Sequence, residues 1–273
     1  VKVHTVSSSD GQYFLITDCI VDPLGETTNL SQYLISHGND LEEDILFEVL
    51  LQTANALDYA HNKLCSGQTV IHRALKLNNL LIGQENGKIK VFISDFGLSR
   101  IVGTGVVLSR TYMILADALG IVPVVEGGES QSDRYSTQLM DPQKRSILHN
   151  SFLQNYAFLA PEQKHPDVYS EVSIKTDVYA FGVLAYYLIT GKLPEGVFDL
   201  PSVCQGKYQY NWDRLVLSCL RSDPEQRPVA LVQLLDDLSK KNSMKAQSVS
   251  FAESAEKKPS SGDLGSQDTT LPV

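Results

Sequence analysis

Between Thr176 and Thr190 apolar side chains run nearly all the way round a helix. A helix without a polar face belongs inside a protein core or a membrane. The apolar run from Val178 to Thr190 is shorter than the roughly 20 residues that span a bilayer. It is therefore expected to be a buried central helix, with no membrane span in the chain. A chain of 273 residues is long enough to bury a sizeable core around it.

The other elements are legible from their periods. Val1 and Val3, a Ser-Ser-Ser-Asp-Gly turn at 7–11 and the apolar run Tyr13 to Ile16 read as a β-hairpin. A short helix follows, with Thr28 as N-cap, Leu30, Tyr33 and Leu34 as its inner face and Gly38 as its stop. Leu41, Ile45, Leu46, Val49, Leu50, Leu57 and Ala60 recur at helical spacing, which predicts a long amphipathic helix over 41–62. Leu80 to Ile82 and Ile89 to Phe92 flank a turn containing Asn86-Gly87, a second hairpin. Trp212 to Leu220 and Pro228 to Ser239 read as two further helices, Pro228 suiting a first turn. Residues 98–159 show no sustained period and read as a long loop, while 240–273 read as a flexible tail or linker.

Composition excludes some functions. The formal net charge is −9, so the body repels phosphate backbones, and no basic stripe argues for nucleic acid. Cys19, Cys65, Cys204 and Cys219 form no CxxC pair and are expected to be reduced thiols. The histidines show no metal-ligand spacing.

The chemistry sits in Ile71-His72-Arg73-Ala74-Leu75-Lys76-Leu77-Asn78-Asn79, followed sixteen residues after Asn79 by Asp95-Phe96-Gly97. Ala160-Pro161-Glu162, Asp177 to Gly182 and Arg227-Pro228 come after them in that order. Asp-Phe-Gly alone is a weak signal, whereas five such pieces in one order are hard to assign to coincidence.

This set resembles the C-terminal lobe of a eukaryotic-type protein kinase over residues 1 to about 239, with Lys76 and Asn79 similar to the serine/threonine branch. A compact lobe with a long activation segment resembles bacterial kinases of the chlamydial type. The resemblance implies an α+β, protein-kinase-like fold, mainly the helical C-lobe with a small β-hairpin remnant of the N-lobe. It divides the chain into 1–22, the end of the N-lobe and the hinge; 23–239, the C-lobe with its activation segment at 98–159; and 240–273, the tail.

By the same resemblance, Asp18 to Asp22 matches the hinge that cups adenine, making Asp18 and Ile20 candidate cofactor contacts. Asn79 and Asp95 offer hard oxygen ligands for Mg²⁺, which would bridge the phosphates of ATP. Read without the resemblance, the same two residues are loop caps. Lys76 could place a cation at the transferring phosphate. Arg73 matches the arginine that pairs with a phosphorylated activation segment, for which Ser130, Ser132, Ser136 and Thr137 are candidate acceptors; an unmodified solvated loop is the plainer reading. His72 is expected to pack on Phe96. Glu162 with Arg227, and Asp177 beneath the catalytic loop, are expected to be structural anchors.

The pattern breaks at Ala74, which stands where active kinases carry the catalytic Asp. A methyl group cannot accept a proton. Asn155 replaces the usual Thr five residues before Ala160, and Phe158 replaces the usual Tyr. No Gly-rich phosphate loop, strand Lys or helix Glu lies within these residues; Gly103-Thr104-Gly105 stands in the wrong place and reads as a loop turn. Either those parts precede Val1 or a nucleotide would lack half its walls.

The sequence thus predicts a pseudokinase, acting as a scaffold or nucleotide-sensing switch that binds Mg-ATP. Its partners would be proteins, its setting the cytoplasm, and further domains would be attached. A weakly active serine/threonine kinase and an interaction module that binds no nucleotide are the alternatives.

Overall fold

The computed structural model describes residues 1–9, 12–22, 25–65, 67–96, 156–165 and 171–240. The expected activation segment up to residue 155, including Asn155, Gly103, Gly105 and the candidate phosphate acceptors, lies outside the described residues. So do Gly97 and the tail beyond Lys240.

Strand β1 (Val3–Ser9) pairs antiparallel with β2 (Gln12–Thr17), from Ser9 opposite Gln12 to Val3 opposite Thr17. Ser7, Ser8 and Ser9 are therefore in the ladder, although their composition predicts a turn. The backbone nitrogen of Val1 donates to Ile93 O at 2.9 Å, tying this hairpin to the body of the fold.

β3 (Thr28–Asn29), β6 (Leu80–Glu85) and β7 (Lys88–Ile93) form a three-stranded antiparallel sheet in the order β3-β6-β7. Asn86 and Gly87 join β6 to β7 with φ of 55° and 76°. Positive φ at both central residues is what a two-residue hairpin turn needs to match strand twist. Leu80 and Ile82 are buried opposite Ile93 and Val91. The outer edge of β7 is covered by Gln52, whose Nε2 donates to Ile89 O at 3.0 Å while its Oε1 accepts from Val91 N at 2.9 Å. A side-chain amide thus stands in for a missing strand. Between β3 and β6 in sequence, β4 (Leu64–Cys65) and β5 (Gln68–Thr69) make a minimal hairpin.

Helix α1 (Leu30–Ser36) is capped by Asn29, not by Thr28. Asn29 Oδ1 accepts from Gln32 N and Gln32 Oε1 accepts from Asn29 N, both at 3.0 Å, a reciprocal capping box. Thr28 is committed elsewhere: its backbone pairs with Ile82 and its hydroxyl donates to Asp22. Helix α2 (Glu43–His61) buries Leu46, Val49, Leu50, Ala54 and Leu57 at the predicted spacing.

A short helix α3 (Pro161–Lys164) precedes the central α4 (Ile174–Thr190). In α4, Val178, Phe181, Val183, Leu184 and Ala185 are fully buried, as an all-round apolar helix must be. Gly191, at φ 70°, ends it in the left-handed conformation, its N–H donating to Tyr187 O. α5 (Pro201–Cys204) and α6 (Trp212–Cys219) pack against it. A Cβ at Gly182 would lie 2.6 Å from Cys219 Cβ, so only glycine lets α4 and α6 approach so closely.

The last helix among the described residues, α7 (231–240), begins three residues after Pro228 and so does not use it as a first-turn residue. Its start is decided by α2: Asp58 accepts from Leu231 N at 3.1 Å and Val232 N at 2.9 Å. A carboxylate from another helix thereby satisfies the unpaired amides of the α7 N-terminus. The four cysteines are free thiols, and burial pushes the Cys219 thiol up to about 12. Among the described residues, no helix is long and apolar enough to cross a membrane, and no three His, Cys, Asp or Glu side chains cluster as metal ligands.

Candidate functional site

The segment 71–79 crosses between α2 and the β6–β7 hairpin, and its shape is imposed from below by the first turn of α4. Asp177 is fully buried. Its Oδ2 accepts from His72 N and its Oδ1 from Arg73 N, each at 2.7 Å. His61, at the end of α2, adds a third contact, Nε2 to Asp177 Oδ2 at 2.8 Å. From the other side, Gln163 of α3 donates from Nε2 to Arg73 O at 2.8 Å. Arg73 is thus gripped at both backbone groups, and it adopts φ 69°. A non-glycine residue in the left-handed region is strained and persists only where its surroundings over-determine it.

His72 is buried with both ring nitrogens engaged. Nε2 donates to Ser94 O at 2.8 Å, and Nδ1 accepts from Ala74 N at 3.2 Å. These bonds define a neutral tautomer. Burial pushes the His72 pKa down, against the opposing pull of Asp177. Its ring meets Phe96 edge-on, with centroids 4.6 Å apart, so the expected His72–Phe96 contact is present.

Asn79 lies in a short 3₁₀ turn, Leu77–Asn79, and is buried. Its Nδ2 donates to Ala74 O at 2.9 Å, which leaves Oδ1 as the amide's ligand atom. Asn79 O accepts from both the N–H and the hydroxyl of Ser94, stitching the loop to the residue before Asp95. Asp95 is exposed and, at φ 60°, is the second left-handed non-glycine residue of the site. Lys76 is half-buried. Desolvation lowers its pKa, and the nearby Asp95 carboxylate opposes that shift. Ala74, Lys76, Asn79 and Asp95 are therefore brought together, and the two oxygen donors, Asn79 Oδ1 and the Asp95 carboxylate, suit a hard cation shared with phosphate oxygens.

The hinge candidates, Asp18 and Ile20, follow strand β2. The exposed Asp18 carboxylate takes a 2.7 Å contact from His4 Nε2 and a 3.3 Å bond from Lys2 N, so it closes the base of the β1–β2 hairpin. The His4 bond leads in holding the Asp18 carboxyl below its usual range, against its modest desolvation. Ile20 lies over Gly83 of β6, where its Cγ2 would be 3.5 Å from an added Cβ.

The ion pair beneath the site is complete. Arg227 Nη1 and Nη2 donate to Glu162 Oε1 and Oε2 at 2.7 and 2.9 Å, and both side chains are fully buried. The remaining guanidinium hydrogens go to the carbonyls of Lys175, Ser222 and Arg221. Thr176 Oγ1 donates to Glu162 as well. Desolvation alone would raise the Glu162 pKa; the bonds from Arg227 and Thr176 outweigh it and hold the carboxyl below its usual range. Phe158 is buried in the core.

Two residues of this network carry no motif. His61 could have been flagged by its place four residues after Leu57 on the inner face of α2. Gln163 has no comparable signal, since it acts across 90 residues of sequence.

A loop left-handed at Arg73, hung from a buried central helix and flanked by a β-hairpin followed by left-handed Asp95 and by Phe96, defines the large lobe of a protein kinase. The protein kinase domain family matches residues 1–114. The chain has a protein-kinase fold and is similar in sequence to eukaryotic-type serine/threonine protein kinases. It is 31% identical over 235 residues to serine/threonine-protein kinase pkn1 of Chlamydia caviae, covering 86% of this chain and 31% of that protein. The Chlamydia trachomatis Pkn1 is 27% identical, covering 86% of this chain and 31% of its own length. The chain thus spans about a third of these curated relatives. The kinase domain of Mycobacterium tuberculosis PknI shares the fold, with a TM-score of 0.55 and 17% identity, over 88% of this chain and 70% of that one.

Proposed function

We propose that this domain is a pseudokinase, which keeps the kinase shape and works by binding, as a protein scaffold or nucleotide-sensing switch. Ala74 carries the reading. Its N–H is held by His72 and its C=O by Asn79, while its side chain is a methyl group. The backbone of the loop is kept and the proton acceptor is gone. General-base catalysis typically contributes about 10²–10⁴ in rate, roughly 3–5 kcal/mol of barrier.

The rest of the site suits a nucleotide. Lys76 offers a cation to phosphate oxygens, and Asn79 with Asp95 would hold Mg²⁺, which when bound neutralises charge on the phosphates. The same retention favours a second reading, a slow serine/threonine kinase that relies on positioning and charge alone. A protein partner or substrate, a cytoplasmic setting and attachment to further domains belong to both readings.

Phosphoryl transfer to a generic protein acceptor, in the full chain and in Ala74→Asp, tests the choice. The pseudokinase reading expects negligible transfer that rises about a hundredfold or more when the carboxylate is restored. Unchanged transfer in Ala74→Asp would count against it, and ready transfer by the unaltered protein would favour the slow kinase.

A further inference from the structure

A groove of about 440 Å³ lies between α1, α2 and the turn end of the β6–β7 hairpin. Asn79 precedes β6, so the groove sits toward the other end of that hairpin from the loop at 71–79. Its floor is apolar. Ile45, Ile82 and Ile89 line it and pack on the core, and the Tyr33 ring, stacked on His37 with centroids 4.0 Å apart, adds a fixed wall. Its rim is charged and exposed, with Asp44 and Glu48 one turn apart on α2 and Lys88 on the hairpin. Other acids at this end of α2 are committed: Glu43 accepts from Gln209, Tyr210 and Trp212, and Asp40 pairs with Lys207. Among the described residues, Asp44 and Glu48 make no ion pair, with Lys88 or with any other cation. Glu48 is nonetheless held in place, its Oε1 accepting at 2.7 Å from the Gln52 amide that is itself bonded to Ile89 O. The helix dipole favours an acid in the first turn, such as Asp44, but its effect falls off before Glu48. Two acids four residues apart on a helix repel each other.

We infer that this groove docks a segment of a protein partner that carries Arg or Lys beside apolar side chains. The cations meet Asp44 and Glu48, which relieves their repulsion, and the apolar groups cover Ile45, Ile82 and Ile89. The inference rests on the part of the reading above that the pseudokinase and the slow kinase share, that the domain engages a protein. The segment is held through its side chains and not as an added strand. Gln52 already occupies the Ile89 carbonyl and the Val91 N–H, so this edge of β7 is closed to a backbone ladder. Lys88, across the groove, competes with the incoming cations for the same two carboxylates.

The test is fluorescence anisotropy of the full chain with a panel of short labelled peptides, in which an Arg-Arg pair and two leucines stand at varied spacing in a Gly-Ser background. At least one spacing is expected to bind, and its counterparts with Arg replaced by Glu or Leu replaced by Ser are not. Binding should weaken as salt rises. The double variant Asp44→Asn, Glu48→Gln should weaken it about fivefold to tenfold, the worth of two exposed ion pairs, with an unchanged melting midpoint. Lys88→Gln should tighten it by about twofold to threefold, because a competing cation is gone. No binding at any spacing, or equal binding by the double variant, overturns the proposal and leaves the pseudokinase reading to its own test, phosphoryl transfer by Ala74→Asp. Self-association of the chain that the double variant loses would assign the groove to a second copy. Peptide binding that appears only after Lys240, Lys241 and Lys245 are changed to Gln would assign it to the chain's own tail. Either result also overturns the proposal.

Discussion

Asp177 holds Arg73 in the left-handed backbone region across 104 residues of sequence, through a 2.7 Å bond to its N–H. The same carboxylate takes the N–H of His72 and the ring of His61. One buried acid on the central helix thus sets the path of the loop that carries the site. Three donors lose their acceptor if it is removed. Asp177→Ala is expected to destabilise the domain by about 3–5 kcal/mol, the usual cost of breaking a buried charged network. Denaturant unfolding measures this, and a loss under about 1 kcal/mol would show that the loop does not depend on the acid.

Glu162 and Arg227 make a second prediction. Removing one partner strands the other in the core, so Glu162→Ala should cost about 3–5 kcal/mol. A double variant, Glu162→Leu with Arg227→Met, should recover part of the loss, because two apolar side chains leave no buried charge. A double variant no more stable than the single would mean that packing of the pair matters more than its charge.

The Glu162 carboxyl titrates below its unfolded value of 4.5. The folded state then holds fewer protons than the unfolded state as pH falls through that region. Its contribution is full above 4.5 and is lost as pH drops through the lower folded value. The acid limb of a stability–pH curve should be shallower in Glu162→Gln.

His72 has the same sign at higher pH. Burial holds its pKa below 6.5 in the folded state, so the unfolded chain takes up the proton first. Stability is full above 6.5 and falls as pH drops below it. Melting between pH 7.5 and 5.5 should show a decline that is reduced in His72→Leu, and equal slopes would contradict the assignment of a neutral ring.

Gly182 marks the tightest helix contact. A methyl group there meets Cys219 Cβ at 2.6 Å and Leu220 Cδ2 at 3.0 Å. Gly182→Ala should destabilise by about 1–3 kcal/mol through overpacking. Cys219→Gly in the same background should relieve part of it, which urea unfolding of both variants would reveal.

What the sequence determined by itself is what repeats locally. Apolar side chains at helical spacing placed α2 and α4 to within a few residues, because a helix buries one stripe or all of its surface. Alternation and Asn86-Gly87 placed the β6–β7 hairpin, because only certain residues accept its φ values. The local motif His72-Arg73-Ala74 marked the loop at 72–79 in the same way. Tertiary structure decided the rest. Asp58 of α2 caps α7, so that helix starts at 231 and not at Pro228. The Asp18 side chain meets His4 of the neighbouring strand, fourteen residues away in sequence. Gln163 grips the 71–79 loop directly and His61 does so through Asp177, from two other helices. Each of these is a hydrogen bond between groups far apart along the chain. Such a bond leaves no local period, because its partner is chosen by where the fold brings a free donor or acceptor into reach.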